Sequence, residues 1–183
     1  QHRPYIETDE VEPQGIYGKT KLSGEQAIQK IQKTNAIIIR TGWVYSEYGN
    51  NFVKTMLKLG SERGSLNVIF DQVGTPTYAG DLAEAIMAVV QSDNFSQTDF
   101  KTQIHHFSNE GACSWYDFTK TIFELTNTQC QVSPIETKNY PTPATRPHYS
   151  VLNKAKIKQT YNLTIPYWKD SLQQCLTTLK EDE

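Results

Sequence analysis

No stretch of this 183-residue chain stays apolar for the roughly 20 residues that a membrane-spanning helix needs. The longest apolar runs, such as Ala36 to Ile39, have the length of a β-strand. An excess of positive charge is also missing, because 18 Lys and Arg residues stand against 20 Asp and Glu residues. Nucleic-acid surfaces need concentrated Lys and Arg. We therefore expect neither a membrane nor a nucleic acid as a partner.

Cysteine is scarce, with Cys113, Cys130 and Cys175 widely spaced and no C-x-x-C pair. Reduced thiols in a cytoplasmic protein explain this pattern most simply. His105 and His106 are adjacent, and neighbouring side chains on a strand point to opposite faces, so they make a poor chelate. The sequence therefore predicts no metal site and a cytoplasmic location.

A glycine-rich phosphate-binding turn is missing as well. None of the ten glycines forms G-x-x-G-x-x-G or G-x-G-x-x-G after a strand, the turn that brings backbone close to a cofactor pyrophosphate. The chain also begins Gln1-His2-Arg3-Pro4, with neither an initiator Met nor a signal segment. We expect it to be part of a longer protein.

Helical and strand patterns alternate along the chain. Ala36 to Arg40 is typical of a strand buried on both faces, and Asp81 and Ser114 stand where helix N-caps are expected. This alternation indicates an α/β fold with part of a parallel sheet. The predicted helices cover about 16–33, 51–63, 82–92, 115–125, 153–159 and 168–179, the predicted strands cover 36–40, 66–70, 103–107 and 131–135, and the proline-rich stretch 134–147 is predicted to be a loop.

Tyr17 and Lys21 are four residues apart on the first predicted helix, so they share one face. A nearby ammonium group stabilises the phenolate form of a tyrosine, which lets the pair exchange a proton near neutral pH. Taken alone, the five-residue pattern favours a plain surface contact over an acid/base pair. The surrounding blocks must decide between a surface contact and an acid/base dyad.

These blocks, in chain order, resemble the dTDP-4-dehydrorhamnose reductase family, extended short-chain dehydrogenase/reductases of nucleotide-sugar metabolism. A late Arg146-Pro147-x-x-Ser150-x-Leu152 is similar to the family's C-terminal pattern. The resemblance covers nearly the whole chain. Its blocks are YGKTKLSGE (17–25), IIIRTGWVY (37–45), GNNFV (49–53), DQVGTPTY (71–78) and DLA (81–83).

The resemblance implies a catalytic and a cofactor role for one group of residues. Tyr17 would protonate the oxygen formed when hydride from NADPH or NADH reaches the C4 ketone of the sugar. Lys21 would support Tyr17 and bind the nicotinamide ribose, and Thr41 and Gly42 would lie near the nicotinamide. Trp43 would flank the sugar ring, although packing in the core explains a tryptophan there equally well.

A second group would bind the nucleotide of the substrate. By the same resemblance, Asn50, Asn51 and Phe52 would meet the nucleotide, and Arg146 would hold the diphosphate in a bidentate fork. Helix capping by Asn50 is the alternative for the asparagines, and a surface ion pair is the alternative for Arg146. Asp71 and Thr75 to Tyr78 are expected to shape a turn rather than to touch ligand.

The resemblance further implies the C-terminal part of a Rossmann-like parallel sheet with a small α/β substrate-binding region. We assign residues 1–45 and about 79–110 to the sheet layer, and about 46–78 and 111–183 to the sugar-nucleotide region. The family's glycine-rich turn and its catalytic Ser or Thr would both precede the Tyr17 helix, so this chain by itself is predicted to have little activity. Pairing with a second copy would cover an exposed sheet edge.

The expected function is therefore reduction of dTDP-4-dehydro-L-rhamnose in the biosynthesis of dTDP-rhamnose and cell-surface polysaccharide. Two alternatives stay open. One is a non-catalytic regulatory or binding subunit of the same family, against which the Tyr17/Lys21 pair speaks. The other is an extended short-chain epimerase or dehydratase that acts on a nucleotide sugar.

Overall fold

The computed structural model describes residues 3–32, 35–97, 100–140 and 146–181. The predicted helices and strands are present with boundaries that differ by a few residues, and the structure adds one short helix and four two-residue strands that were not predicted. The helices are α1 (Ile16–Ile31), α2 (Phe52–Glu62), α3 (Ala79–Val90), α4 (Asp93–Ser96), α5 (Trp115–Thr126), α6 (Ala155–Tyr161) and α7 (Trp168–Glu181). The strands are β1 (Ile37–Arg40), β2 (Val44–Tyr45), β3 (Ser65–Ile69), β4 (Val73–Gly74), β5 (Thr77–Tyr78), β6 (Gln103–His106), β7 (Cys113–Ser114) and β8 (Gln131–Ile135).

The strands form four short pairs. Three of them are parallel, β1 with β6, β2 with β5, and β3 with β8, and β4 pairs with β7 in antiparallel orientation. Parallel pairing needs crossover connections, which the helices between the strands supply. The expected α/β fold with a parallel sheet is thus confirmed.

Two clusters of buried side chains form the core. The larger one joins β2, β3, α2, α5 and α7, and the smaller one joins α3, α6 and the end of β6. The division of the chain into a sheet layer and a sugar-nucleotide region stays a prediction. Buried members of the larger cluster include Tyr45, Val53, Phe118, Ile122, Trp168 and Leu172, and those of the smaller one are Ala85, Phe107, Ile157 and Ile165.

Helix α1 packs loosely, since none of its residues is buried. Two of its apolar side chains, Ile16 and Ile31, are each 82% exposed. The guanidinium of Arg40 ties the helix to β1 through a bidentate ion pair with Glu25, in which the shorter N–O distance is 2.7 Å. This pair fixes α1 beside the end of β1.

Two predicted caps behave differently. Ser114 caps α5 as expected, in a reciprocal capping box with Asp117. Asp81 was predicted to be the N-cap of α3, and this is wrong, because α3 begins at Ala79 and Asp81 lies inside its first turn. The Asp81 carboxylate is buried and accepts hydrogen bonds from Asn109 and Ser171, so a tertiary network takes the place of the local cap.

The predicted loop over 134–147 is only partly correct. Strand β8 runs through Pro134 to Ile135, which suits an edge position where a proline need not donate to a ladder. A short 3₁₀ turn follows at Thr137–Asn139, and residues 141–145 lie outside the described ranges.

No helix of the described ranges is long and apolar enough to cross a membrane. The same ranges hold no group of three or more His, Cys, Asp or Glu side chains placed to bind a metal ion. Cys113, Cys130 and Cys175 form no disulfide. His105 and His106 are both buried, and their ring nitrogens contact Gln103 and the Tyr5 carbonyl respectively.

Candidate active site

A cavity of about 510 Å³ opens where β1 ends. It brings together five of the predicted site residues although they are far apart in the sequence. Ligands gather at the carboxyl ends of parallel strands, and the turn that follows β1 occupies such a position. The five are Tyr17, Thr41, Gly42, Trp43 and Arg146.

Tyr17 lies in the first turn of α1 with its side chain 76% exposed. The Nζ atom of Lys21 lies 5.3 Å from the centroid of the Tyr17 ring, within the range of a cation–π contact. The shared helix face predicted from the spacing is therefore present. Lys21 lines an adjoining cavity of about 600 Å³, and Pro147, Ser150 and Leu152 line both cavities.

Trp43 has an unusual backbone in the turn after β1. Its φ is +53°, in the left-handed region that a bulky residue rarely adopts and that costs on the order of 1–3 kcal/mol. Its indole stacks on Trp115 with the ring centroids 3.5 Å apart and 12° between the planes. Trp43 thus packs on one aromatic neighbour and also lines the cavity, so the two roles considered for it coexist.

Gly74 in β4 lies next to the same tryptophan, and its lack of a side chain leaves room for the indole. A Cβ atom added at Gly74 would lie 2.7 Å from the Cε2 atom of Trp43 and 2.7 Å from the Ser150 hydroxyl oxygen. Any larger residue would force the indole or Ser150 to move. Glycine at position 74 therefore lets the backbone of β4 lie directly against the Trp43 ring.

The predicted nucleotide-binding block does not line this cavity. Asn51, not Asn50, is the N-cap of α2, where its Oδ1 atom accepts from the Lys54 amide and its Nδ2 atom donates to the Ser46 carbonyl. The capping alternative was thus placed one residue too early. Phe52 packs against the aromatic rings at the start of α5. A role for Asn50, Asn51 and Phe52 in nucleotide binding stays a prediction.

Several residues that line the cavity were missed as site residues. Trp115 gave no local signal, because its stacking partner Trp43 is distant in sequence. Pro147, Ser150 and Leu152 were recognised only as parts of a pattern, and Thr75 was assigned to a turn. These residues share a place in the wall of one cavity, which only the tertiary structure reveals. The missed residues are Gln72, Thr75, Ser108, Trp115, Pro147, Ser150 and Leu152.

The buried tyrosines next to the turn are poor candidates for proton transfer. Burial raises the pKa of Tyr45, and burial together with the nearby Glu47 carboxylate raises the pKa of Tyr78. Both phenols therefore stay neutral at pH 7. Beside β1, burial lowers the pKa of His106 against the opposing effect of Glu7. His106 is neutral at pH 7, and the exposed Tyr17 remains the phenol that a ligand in the cavity can reach.

Comparisons with known proteins show the family of this chain. The family model for the RmlD substrate binding domain matches residues 1–181. The chain is 39% identical over 180 residues to a dTDP-4-dehydrorhamnose reductase of Sinorhizobium fredii, covering 96% of this chain and 60% of that protein. It is also 40% identical over 174 residues to the spore coat polysaccharide biosynthesis protein SpsK of Bacillus subtilis, covering 95% of this chain and 58% of that protein.

Two solved structures have the same fold. A dTDP-4-dehydrorhamnose reductase from Clostridium acetobutylicum superposes with a TM-score of 0.89 at 40% identity, over 98% of this chain and 61% of that one. The same enzyme from Bacillus anthracis, in complex with NADP, superposes with a TM-score of 0.88 at 35% identity, over 96% of this chain and 59% of that one. The chain spans about 60% of the length of the first of its curated relatives. It belongs to the RmlD substrate-binding-domain family.

Proposed function

We propose that this chain forms the substrate side of an NAD(P)H-dependent dTDP-4-dehydrorhamnose reductase, which converts dTDP-4-dehydro-L-rhamnose into dTDP-L-rhamnose. The observation that carries the proposal is the cavity that joins Tyr17, the turn 41–43 and Arg146. A phenol, an indole and a guanidinium match the carbonyl oxygen, the sugar ring and the diphosphate of such a substrate. The names of the relatives support the same reaction.

The residues at the end of β1 fit the nicotinamide end of a dinucleotide. A Cβ atom added at Gly42 would meet no heavy atom within 4 Å, so a flat ring has room to approach the backbone there. The Lys21 ammonium group can donate to ribose hydroxyls beside Tyr17. The Bacillus anthracis relative in complex with NADP supports this cofactor class. NADPH or NADH, when bound, supplies the hydride.

The protein's own part of the chemistry falls to Tyr17 and its neighbours. The Tyr17 hydroxyl donates its proton to the carbonyl oxygen of the substrate as that oxygen gains negative charge. The Lys21 ammonium, 5.3 Å from the ring centroid, stabilises the phenolate that remains. Trp43 offers a flat apolar wall to the sugar, and Arg146 offers two parallel N–H donors to the diphosphate.

The proposal is tested on the protein as its gene encodes it, by following NADPH absorbance with dTDP-4-dehydro-L-rhamnose as substrate. Tyr17→Phe removes the proton donor and is expected to lower kcat by about 10²–10⁴-fold. Tyr48→Phe is the matched control, since Tyr48 is 72% exposed and lies outside the cavity lining. Tyr48→Phe is expected to retain wild-type kcat.

Unchanged activity in Tyr17→Phe would contradict the catalytic role and favour a non-catalytic subunit. A product other than dTDP-L-rhamnose would favour an epimerase or dehydratase instead. Because the sequence holds no glycine-rich turn for a pyrophosphate, we predict that the 183-residue chain by itself oxidises little NADPH. Measurable turnover by that chain would refute this prediction.

A cytoplasmic location and a homodimer complete the proposal. Nucleotide-sugar substrates and reduced thiols both suit the cytoplasm. The name of the Bacillus subtilis relative supports a place in polysaccharide biosynthesis. Sedimentation velocity of the protein as its gene encodes it would measure the oligomeric state, and a single monomer species at micromolar concentration would exclude the homodimer.

A further inference from the structure

The left-handed backbone conformation of Trp43 must be stabilised by its neighbours. A bulky residue at φ +53° persists only where its surroundings fix the conformation. Such outliers cluster at ligand sites, and this one lines the cavity described above. The hydrogen bonds to the turn 41–43 identify the neighbour that holds it.

Thr77, in β5, contacts all three residues of the turn. Its Oγ1 atom donates to the Gly42 carbonyl at 2.7 Å, and its backbone N–H donates to the Trp43 carbonyl at 3.0 Å. The Thr41 hydroxyl donates to Thr77 Oγ1 at 3.4 Å. Thr77 is fully buried and does not line the cavity, so its contacts serve the turn rather than a ligand.

Thr77 is itself held in place. The next residue, Tyr78, donates its backbone N–H to the buried Oδ1 atom of Asn109 at 2.8 Å. On the other side, β2 and β5 pair in parallel register, with Val44 opposite Thr77. The pairing with β2 and the bond to Asn109 therefore hold the Thr77 hydroxyl against the turn.

We propose that Thr77 is a positioning residue of the substrate pocket, which holds Trp43 in its left-handed conformation so that the indole contacts the sugar of a nucleoside-diphosphate sugar. The proposal rests on the proposed function, because it assumes that the cavity binds this class of ligand. Thr77 acts through Trp43. Its loss should therefore weaken the sugar contact and leave contacts to the nucleotide unchanged.

The test compares two ligands by calorimetric titration of the protein as its gene encodes it, dTDP-L-rhamnose and dTDP. Thr77→Val keeps the shape of the side chain and removes the hydroxyl. We expect its Kd for dTDP-L-rhamnose to rise about tenfold, which equals about 1.4 kcal/mol, and its Kd for dTDP to change less than about twofold. Near-UV circular dichroism should also lose the band of the stacked Trp43 and Trp115 rings.

Two further variants separate this role from a merely structural one. Thr77→Ser keeps the hydroxyl and is expected to retain both affinities and the tryptophan band. Thr121→Val removes another buried hydroxyl, which lies away from the cavity and donates to the Asp117 carbonyl in α5 at 2.9 Å. It should leave both affinities unchanged. Should Thr77→Val not fold, Thr77→Cys replaces it, since a thiol is a weak donor of similar size.

Three results would overturn the inference while the proposed function stands. They are wild-type affinity of Thr77→Val for dTDP-L-rhamnose, an equal loss for both ligands, and a loss of affinity in Thr77→Ser. Equal affinity of the wild type for the two ligands would also overturn it, because no sugar contact would then exist. Failure of the wild type to bind either ligand would instead refute the proposed function.

Discussion

Asn109 is the residue whose loss we expect to destabilise the fold most sharply. It is fully buried, and both ends of its side-chain amide are used. Its Oδ1 atom accepts from the Tyr78 amide at 2.8 Å, and its Nδ2 atom donates to the buried Asp81 carboxylate at 2.5 Å and to the Ser171 hydroxyl at 2.8 Å. Asn109→Leu keeps the approximate volume and removes every one of these bonds.

The loss of stability in Asn109→Leu comes from the buried polar groups that would lose their hydrogen-bond partner. A hydrogen bond to a charged group contributes about 1.5–3 kcal/mol, and a buried backbone N–H without an acceptor costs about 1–3 kcal/mol. Among the residues that the structure describes, Ser171 would be the remaining donor to the Asp81 carboxylate, and the Tyr78 N–H would lose its Asn109 acceptor. We therefore expect the free energy of unfolding to fall by about 3–5 kcal/mol.

Urea denaturation followed by tryptophan fluorescence and far-UV circular dichroism measures this change. With a slope near 2 kcal/mol per molar, the urea midpoint should fall by about 1.5–2.5 M. Asn94→Leu is the control, because Asn94 is exposed and its amide donates to the Thr160 carbonyl at a long 3.3 Å. Its midpoint should stay near the wild-type value. A loss below about 1 kcal/mol in Asn109→Leu would refute the reasoning, since the buried carboxylate would then not need this donor.

Two further predictions concern packing and pH. A Cβ atom at Gly60 would lie 2.7 Å from the Phe123 ring, so Gly60→Val should lower the free energy of unfolding by about 2–3 kcal/mol. Gly64→Val, where no heavy atom lies within 4 Å, should change it by less than about 0.5 kcal/mol; equal losses would contradict the packing argument. Burial, with a smaller effect of Lys156, lowers the pKa of His105 to about 4. As the pH falls, His105 is protonated at a higher pH in the unfolded chain than in the folded protein. Protonation therefore favours unfolding, and up to about 3 kcal/mol of the stability present above pH 6.5 is lost as the pH falls through 4. His105→Phe should flatten this part of a urea-midpoint profile against pH, and parallel profiles would disprove it.

Part of the fold could be predicted because it depends on local geometry. The branched apolar residues before Arg40 form the predicted short strand β1, but the expected burial on both faces is wrong, because all four of its residues are only half-buried. The Ser114 hydroxyl reaches the amide three residues later without help from the rest of the chain. Asp81 shows the limit of such reasoning, because a short acidic side chain near a helix start fits a cap and a buried network equally well. Only the presence of Asn109 and Ser171 nearby decided between them.

Part of the candidate site could likewise be predicted from the sequence, and part could not. Tyr17 and Lys21 are in contact because residues four apart share a helix face, so the sequence alone predicts their contact. The ordered blocks then located Thr41, Gly42, Trp43 and Arg146, which the structure gathers around one cavity.

What only the tertiary structure decided is how these residues are held. The left-handed Trp43, its stack on Trp115 and the hydrogen bonds of Thr77 all join segments that are distant in the chain. No local pattern encodes such contacts, because each depends on where a second element packs. The sequence by itself determined an α/β chain with a Tyr/Lys pair on one helix face. The packing of β5 and α5 against the turn after β1 determined the shape of the pocket.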